Sequence, residues 1–247
     1  MKFVAHAIYV ATVPVTTMKQ LLFLLLLISH LAPAQQDNKL RKKDRRRDVE
    51  LVTTSGAIRL RLYDATPQHR DNFLQLVKSR FYDSILFHRV IQGFMVQSGD
   101  PNSRRAAAGQ RLGTGGPGYT LPAEIKPELF HQKGALAAAR NGDDVNPERR
   151  SSASQFYIVQ GKTWTDSQMD SLERVRVKRK ITQEQRAVYR TTGGTPQLDN
   201  QYTIFGYVVK GQDVIDRIAA TPVNRQLGDR PAQDVRIVQA RLVRRRQ

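Results

Sequence analysis

The chain has 247 residues, no cysteine, 40 % hydrophobic residues, and 40 Lys and Arg against 22 Asp and Glu, a formal net charge of +18 at pH 7. The length suffices for one medium-sized domain with extensions. The absence of cysteine excludes disulfides, thiolate metal sites, a cysteine nucleophile and a cysteine lipid anchor.

So basic a surface attracts polyanions. The basic runs 40–47 and 244–246 hold no aromatic residue to stack on bases, however, so no nucleic-acid partner is expected. At the N-terminus, Lys19 precedes the apolar run 21–28, and Ala32-Pro33-Ala34 follows. A charged start, a short apolar stretch and a small-residue exit are the order of a secretory signal. The run is too short for a membrane span. Met18 is the more natural start, and residues 1–34 are read as a signal region cleaved near Gln35, with export to the periplasm. An uncleaved segment acting as an anchor is the alternative.

Residues 35–47 read as a basic, solvated linker. Segments 49–54 and 57–63 alternate around Ser55-Gly56, the pattern of a β-hairpin. Thr66 is placed to cap a helix with Pro67 at its first position and Phe73, Leu74 and Val77 on its inner face. Short strands and Gly/Pro turns follow to Gly161, including a strand over 155–159. In 163–196 the rhythm breaks. Thr165-x-x-Gln168 and Thr182-x-x-Gln185 each spell a capping box, and Gly193-Gly194 ends the second stretch. This predicts a peripheral helical hairpin inserted between strands. A strand over 202–209, a helix over 213–219 with Val214, Ile215 and Ile218 inward, and a strand over 235–242 complete the chain. Two helices flanking many short strands suggest a mainly β, closed barrel. No internal repeat is visible.

The run Phe87-His88-Arg89-Val90-Ile91-Gln92-Gly93-Phe94-Met95-Val96-Gln97-Ser98-Gly99-Asp100-Pro101 sets an arginine beside an apolar, aromatic wall. That combination suits a neutral, apolar ligand carrying a polar acceptor. Gly113 to Gly118 formally satisfies G-x-G-x-x-G, yet Pro117 and Pro122 indicate a loop rather than a phosphate-cradling helix start. His6, His30, His69, His88 and His131 show no metal-ligand spacing, and neither G-x-S-x-G nor a Ser/His/Asp set is legible. No metal and no cofactor are expected.

With its neighbours, the run resembles the core signature of the cyclophilins, the cyclosporin-binding peptidyl-prolyl isomerases. Thr66-Pro67 and Asn72-Phe73 precede it. Gly113-Thr114-Gly115-Gly116, Gly134-Ala135-Leu136-Ala137-Ala138-Ala139-Arg140, Ser154-Gln155-Phe156-Tyr157-Ile158, Leu198-Asp199 and Phe205-Gly206 follow in family order. The resemblance covers 48–245 and implies a closed eight-stranded antiparallel barrel capped by two helices. It implies rotation about X-Pro bonds in unfolded or extended polypeptides, here exported clients, as assistance to folding.

By the same resemblance Arg89 is the catalytic donor, and Phe94, Met95, Tyr157 and Leu198 wall the proline pocket. Gln97 and the backbone of Ala139 and Arg140 would hold the flanking peptide, with His88 and Gln155 supporting Arg89 and Tyr202 beside them. The sequence departs from the family at four positions. Arg140 stands where asparagine is frequent, Gln197 where tryptophan is, Tyr202 where histidine is, and Tyr157 where phenylalanine is. Trp164 is not expected to replace the missing tryptophan, so cyclosporin-like ligands should bind weakly. The loop between Asp100 and Gly113 is enlarged. Two rival readings are a same-fold proline-binding holdase with little turnover and a basic adaptor for envelope polymers.

Overall fold

Alternation builds the first hairpin. Strands β1 (Arg47–Thr53) and β2 (Gly56–Leu62) pair antiparallel, with Val49 opposite Leu60 and Leu51 opposite Ile58, all four fully buried. The opposite face is charged: Arg61 pairs with Asp48 at 2.9 Å, and Glu50 with Arg241 at 2.6 Å. The computed structural model describes residues 39–245, so the signal-like segment 1–34 and the first residues of the basic linker lie outside it. Among the described residues no helix is long and apolar enough to cross a membrane.

The rest of the linker differs from expectation. Residues Lys42–Arg46 form a 3-10 helix docked on helix α1 (Pro67–Lys78). Asp44 is buried, accepts from the Arg41 amide at 2.9 Å and pairs with Lys78 at 3.0 Å, while Arg45 pairs with Asp71 at 2.7 Å. Acids placed among the bases convert a solvated-looking run into a partnered one. Helix α1 begins at Pro67 as expected, but Thr66 makes no side-chain cap. Instead the Glu124 carboxylate accepts from the amides of Gln68 at 3.2 Å and His69 at 2.9 Å. A long-range carboxylate at the positive helix end does the work of the local hydroxyl.

The sheet that α1 covers has nine strands. Besides β1 and β2 they are β3 (Ile85–Leu86), β4 (Arg89–Ile91), β5 (Met95–Ser98), β7 (Ala135–Ala138), β9 (Phe156–Val159), β10 (Ile204–Lys210) and β13 (Arg236–Arg244), in the order β3-β13-β1-β2-β10-β7-β9-β5-β4. Short pairs join β6 (Thr120–Leu121) to β8 (Ser151–Ser152) and β11 (Val223–Asn224) to β12 (Arg230–Pro231). All the pairings in the sheet are antiparallel. The closed eight-stranded barrel is not what forms. The sheet is a strongly curled, open half-barrel whose edges, β3 and β4, are not paired with each other. The reason is local: β3 and β4 are one stretch of chain broken at Phe87 and His88. The amides of Phe87 and Val90 donate to Val235 and Asp229, each at 2.9 Å, rather than to a facing strand.

One large core fills the concave side. Helices α1 and α4 (Gln212–Ala219) bury Phe73, Leu74, Val77, Val214, Ile215 and Ile218 against inward residues of the sheet. Phe73 sits among the rings of Tyr82, Phe156 and Phe205, with centroids 5.0–5.4 Å away.

The insertion contains α2 (Asp166–Leu172), which runs on into a π-helical turn, and α3 (Gln183–Thr191), making four α-helices among the described residues. Both capping boxes close reciprocally, at 3.0–3.2 Å around Thr165 and Gln168 and 3.2–3.3 Å around Thr182 and Gln185. The hairpin is less peripheral than its charge suggests. Met169, Ile181 and Tyr189 form a buried cluster with Phe130, Trp164 and Leu172. Beside it, Glu173 accepts from the Ile181 amide at 2.8 Å and pairs with Arg186 at 2.9 Å and Lys180 at 3.0 Å.

The Ile181 amide, then Arg186, hold the Glu173 carboxyl down to about 2, against an ordinary value of 4.5. A carboxylate whose folded value is depressed contributes stability above its unfolded value. That contribution is lost as pH falls from about 4.5 toward 2. Glu173→Gln is therefore expected to cost about 1.5–3 kcal/mol at neutral pH, the usual worth of charge-assisted hydrogen bonds. It should also flatten the acid limb of stability, measured by thermal unfolding between pH 7 and 2. An unchanged acid limb would show that Glu173 does not carry it.

Candidate active site

Register places the site. Arg89 on β4 stands opposite Gln97 on β5, Gln97 opposite Tyr157 on β9, and Tyr157 opposite Ala137 on β7. Residues directly opposite one another share a face, so Arg89, Gln97 and Tyr157 form a row on the convex side of the sheet, away from the main core. Met95, two residues from Gln97, points the same way. It joins Ala135, Ala137, Tyr157, Val159 and Ile204 in a second apolar cluster, flanked by Phe94, Leu198 and Tyr202. Phe94 projects from the β4–β5 turn, where Gly93 at φ 74 allows the reversal and donates its amide to Gln160 at 2.6 Å.

These side chains enclose a cavity of about 330 Å³ lined by His88, Arg89, Phe94, Met95, Gln97, Ala139, Arg140, Tyr157, Leu198 and Tyr202, with Arg111, Leu112, Gly113 and Gly228. Thus ten of the eleven expected residues line one cavity. The eleventh, Gln155, lines an adjoining cavity of about 890 Å³ that shares Gln97, Gly113, Ala139 and Arg140 with the first.

Arg89 is half-buried and forms no ion pair among the described residues. Its Nη1 donates to Gln97 Oε1 at a long 3.4 Å. An ordinary surface ion pair would have consumed the guanidinium; here its donors remain available to a ligand. Behind it, Gln97 Nε2 donates to Gln155 Oε1 at 3.1 Å, and Gln155 Nε2 donates to the carbonyls of Gly113 and Gly115 at 2.9 and 2.8 Å. Gln155 thereby locks the glycine stretch as a loop, helped by Asp100, which accepts from the Gly113 amide at 2.5 Å. Residues 113–118 open no helix, and the formal nucleotide motif has no phosphate cradle. Among the described residues no cluster of His, Asp or Glu is arranged to hold a metal ion.

His88 is buried at the cavity wall with both ring nitrogens unpartnered. Burial pushes it down to about 4, so it is neutral at physiological pH. The neutral ring stands beside Arg89 and Asp100 at the cavity wall. The Ala139 backbone already has partners within the protein. Its amide donates to Gln155 at 3.0 Å and its carbonyl accepts from Ser152 at 2.8 Å. The Arg140 side chain donates to the Gln201 carbonyl at 2.8 Å and to Asp143 at 2.5 Å, and its guanidinium lies 4.7 Å from the Tyr202 ring centroid. Trp164 donates to the Gly194 carbonyl at 3.0 Å within the insertion's cluster and does not line the cavity. Sequence reasoning missed Arg111 and Leu112, which the enlarged loop carries to the rim; irregular loops have no periodicity from which to read such a position.

The family profile described as Cyclophilin type peptidyl-prolyl cis-trans isomerase/CLD matches residues 48–242. The chain belongs to this family. A Neurospora crassa protein named Peptidyl-prolyl cis-trans isomerase-like 1 is 35 % identical over 202 residues, 80 % of this chain and 94 % of that protein. A Staphylococcus haemolyticus protein, provisionally named as a peptidyl-prolyl cis-trans isomerase, is 34 % identical over 204 residues, 81 % of this chain and 89 % of that one. The crystal structure of a Cryptosporidium parvum cyclophilin-type isomerase shares the fold at a TM-score of 0.56 and 23 % identity, covering 80 % of this chain and 97 % of that one. The same Cryptosporidium protein has been crystallised in the presence of the dipeptide Ala-Pro, again at a TM-score of 0.56. The activity of this cyclophilin is accordingly peptidyl-prolyl cis-trans isomerisation.

Proposed function

We propose that the cavity around Arg89 is where this cyclophilin isomerises X-Pro bonds, and that its clients are extended or unfolded segments of exported proteins whose folding it assists. The observation that carries the reading is a guanidinium with no carboxylate partner among the described residues, facing a cavity of about 330 Å³ in which Phe94, Met95, Tyr157 and Leu198 supply an apolar wall. An X-Pro amide resists rotation because nitrogen lone-pair conjugation gives a barrier of about 18–20 kcal/mol. Rotation breaks no bond, so neither nucleophile nor base is required. As the amide twists, the lone pair localises on the prolyl nitrogen and becomes an acceptor. A donor fixed at that position interacts more strongly with the twisted state than with either planar one, which is the condition for acceleration. Arg89 is that donor, Phe94, Met95, Tyr157 and Leu198 hold the ring, and Gln97 and the Arg140 backbone hold the flanking peptide. The dipeptide used with the Cryptosporidium structure supports a proline-containing ligand.

A protease-coupled isomerisation assay on a panel of X-Pro peptides tests the reading. Turnover abolished by filling the pocket is expected; peptide binding without turnover would favour the holdase. Gln197 at the position of the family's tryptophan supports weak cyclosporin binding. Export rests on Lys19, the run 21–28 and Ala32-Pro33-Ala34. N-terminal sequencing of protein from the cell envelope should begin near Gln35, and a cytoplasmic protein beginning at Met1 or Met18 would overturn it.

A further inference from the structure

Tyr157 shows its ring to the cavity but sends its hydroxyl the other way. The phenol meets His131 Nε2 at 2.9 Å, and the two rings lie nearly parallel, 8° apart with centroids at 6.0 Å. His131 is fully buried; its Nδ1 and its backbone amide both reach Asp199 Oδ1, at 2.9 and 2.8 Å. The other oxygen, Asp199 Oδ2, accepts from the Tyr189 hydroxyl at 2.7 Å and from Arg179 Nη2 at 2.9 Å. Tyr189 belongs to α3, and Arg179 lies in the connection between the two helices of the insertion. An unbroken line of hydrogen bonds therefore runs from the insertion to the wall of the proline pocket.

The carboxylate end fixes the direction of this line. A carboxylate only accepts, so His131 Nδ1 donates to Asp199 Oδ1, and the tautomer that places its hydrogen there leaves Nε2 to accept from the Tyr157 hydroxyl. Burial pushes both the Tyr157 and Tyr189 phenols well up, which keeps them protonated as donors. The same carboxylate also governs two further walls. Leu198 is its chain neighbour, in a 3-10 turn (Pro196–Leu198) whose Pro196 carbonyl also accepts from Arg179 at 3.3 Å. Tyr202 packs edge-on against both Tyr157 and His131, at 5.7 and 6.2 Å.

We infer that the helical insertion is a specificity device for the pocket, with Tyr189, Arg179, Asp199 and His131 as positioning residues that set how tightly Tyr157 and Leu198 grip the proline ring. The inference rests on the pocket reading above. The ring occupies the pocket in the planar and twisted states alike, so loosening the grip removes binding common to both. That raises KM and leaves kcat nearly unchanged.

The test is a double-mutant cycle on the full chain with an Ala-Pro-containing peptide substrate, using Tyr189→Phe and Tyr157→Phe, both of which keep ring volume. Each single variant should raise KM about 2- to 10-fold, the worth of one hydrogen bond, with kcat within about twofold. The double variant should do little worse than either single one, because both cut the same line. A Tyr189→Phe protein with wild-type KM, or a cycle in which the KM effects multiply, overturns the inference. A purely structural role would lower the unfolding temperature and leave KM alone. Should Tyr189→Phe fail to fold, Arg179→Gln removes the second donor to Asp199 from a half-buried position and carries the same expectation. Arg89→Ala, assayed alongside, separates the two readings: if it loses turnover while Tyr189→Phe keeps its KM, the pocket stands and only the line to the insertion falls.

Discussion

Arg89→Ala should lower kcat/KM about 100- to 1000-fold, the loss seen when one preorganised donor is removed from an electrostatic site, and should leave the unfolding transition near that of the wild type. The fold has little to lose there, because Arg89 is half-buried, forms no ion pair among the described residues and reaches Gln97 only at 3.4 Å. Arg89→Lys should also fail for the most part: a point-charge ammonium on a flexible stem cannot reproduce a planar fork of donors. Phe94→Ala should act differently, lowering kcat/KM mainly through a raised KM, because it removes a wall that the proline ring meets in planar and twisted states alike and no donor. The comparison is kcat and KM of wild type and the three variants, each checked for cooperative unfolding. A well-folded Arg89→Ala protein with near-wild-type turnover would sink the assignment.

What could be read from the sequence was local. Both capping boxes, the Ser55-Gly56 hairpin and the inward faces of α1 and α4 depend on spacings of a few residues, and all formed as spelled. The site was legible for a different reason. The resemblance to the cyclophilins named Arg89, Gln97 and Tyr157, and the register of three short strands sets them opposite one another on one face. Long-range choices were not legible. Whether β3 and β4 close a barrel depends on whether Phe87 and Val90 find partners in 229–235, and Glu124 displaces Thr66 as the cap from 58 positions along the chain. The charged insertion hides its role best. Arg179, Arg186 and Glu173 look like solvated surface until folding pairs them, and the buried line through Asp199 joins residues that no local pattern connects.

Gly99→Ala should be among the most damaging single-methyl changes in the chain. Gly99 follows β5 at φ 100, and a Cβ there would lie 2.1 Å from the Ser154 carbonyl oxygen and 2.7 Å from Gln155 Cα. Those neighbours are backbone and have no flexible end to swing aside. Overpacking of this kind costs about 1–3 kcal/mol, and an L-residue held in a sparsely populated backbone region costs about another 1–3 kcal/mol. At about 2–4 °C per kcal/mol for a domain of this size, the unfolding temperature should fall by roughly 5–20 °C. The damage should reach the chemistry as well. Displacing 154–155 moves Gln155, which ties Gln97 to the carbonyls of Gly113 and Gly115, so the residue beside Arg89 loses its anchor and turnover should fall even at temperatures where the variant is folded. Gly93→Ala is the matched comparison. Its φ is 74, yet a Cβ there meets nothing within 4 Å, so it should show the backbone strain alone. Thermal unfolding and turnover of the two variants side by side decide the point: if Gly99→Ala is no worse than Gly93→Ala, the close approach of β5 to 154–155 does not organise this site.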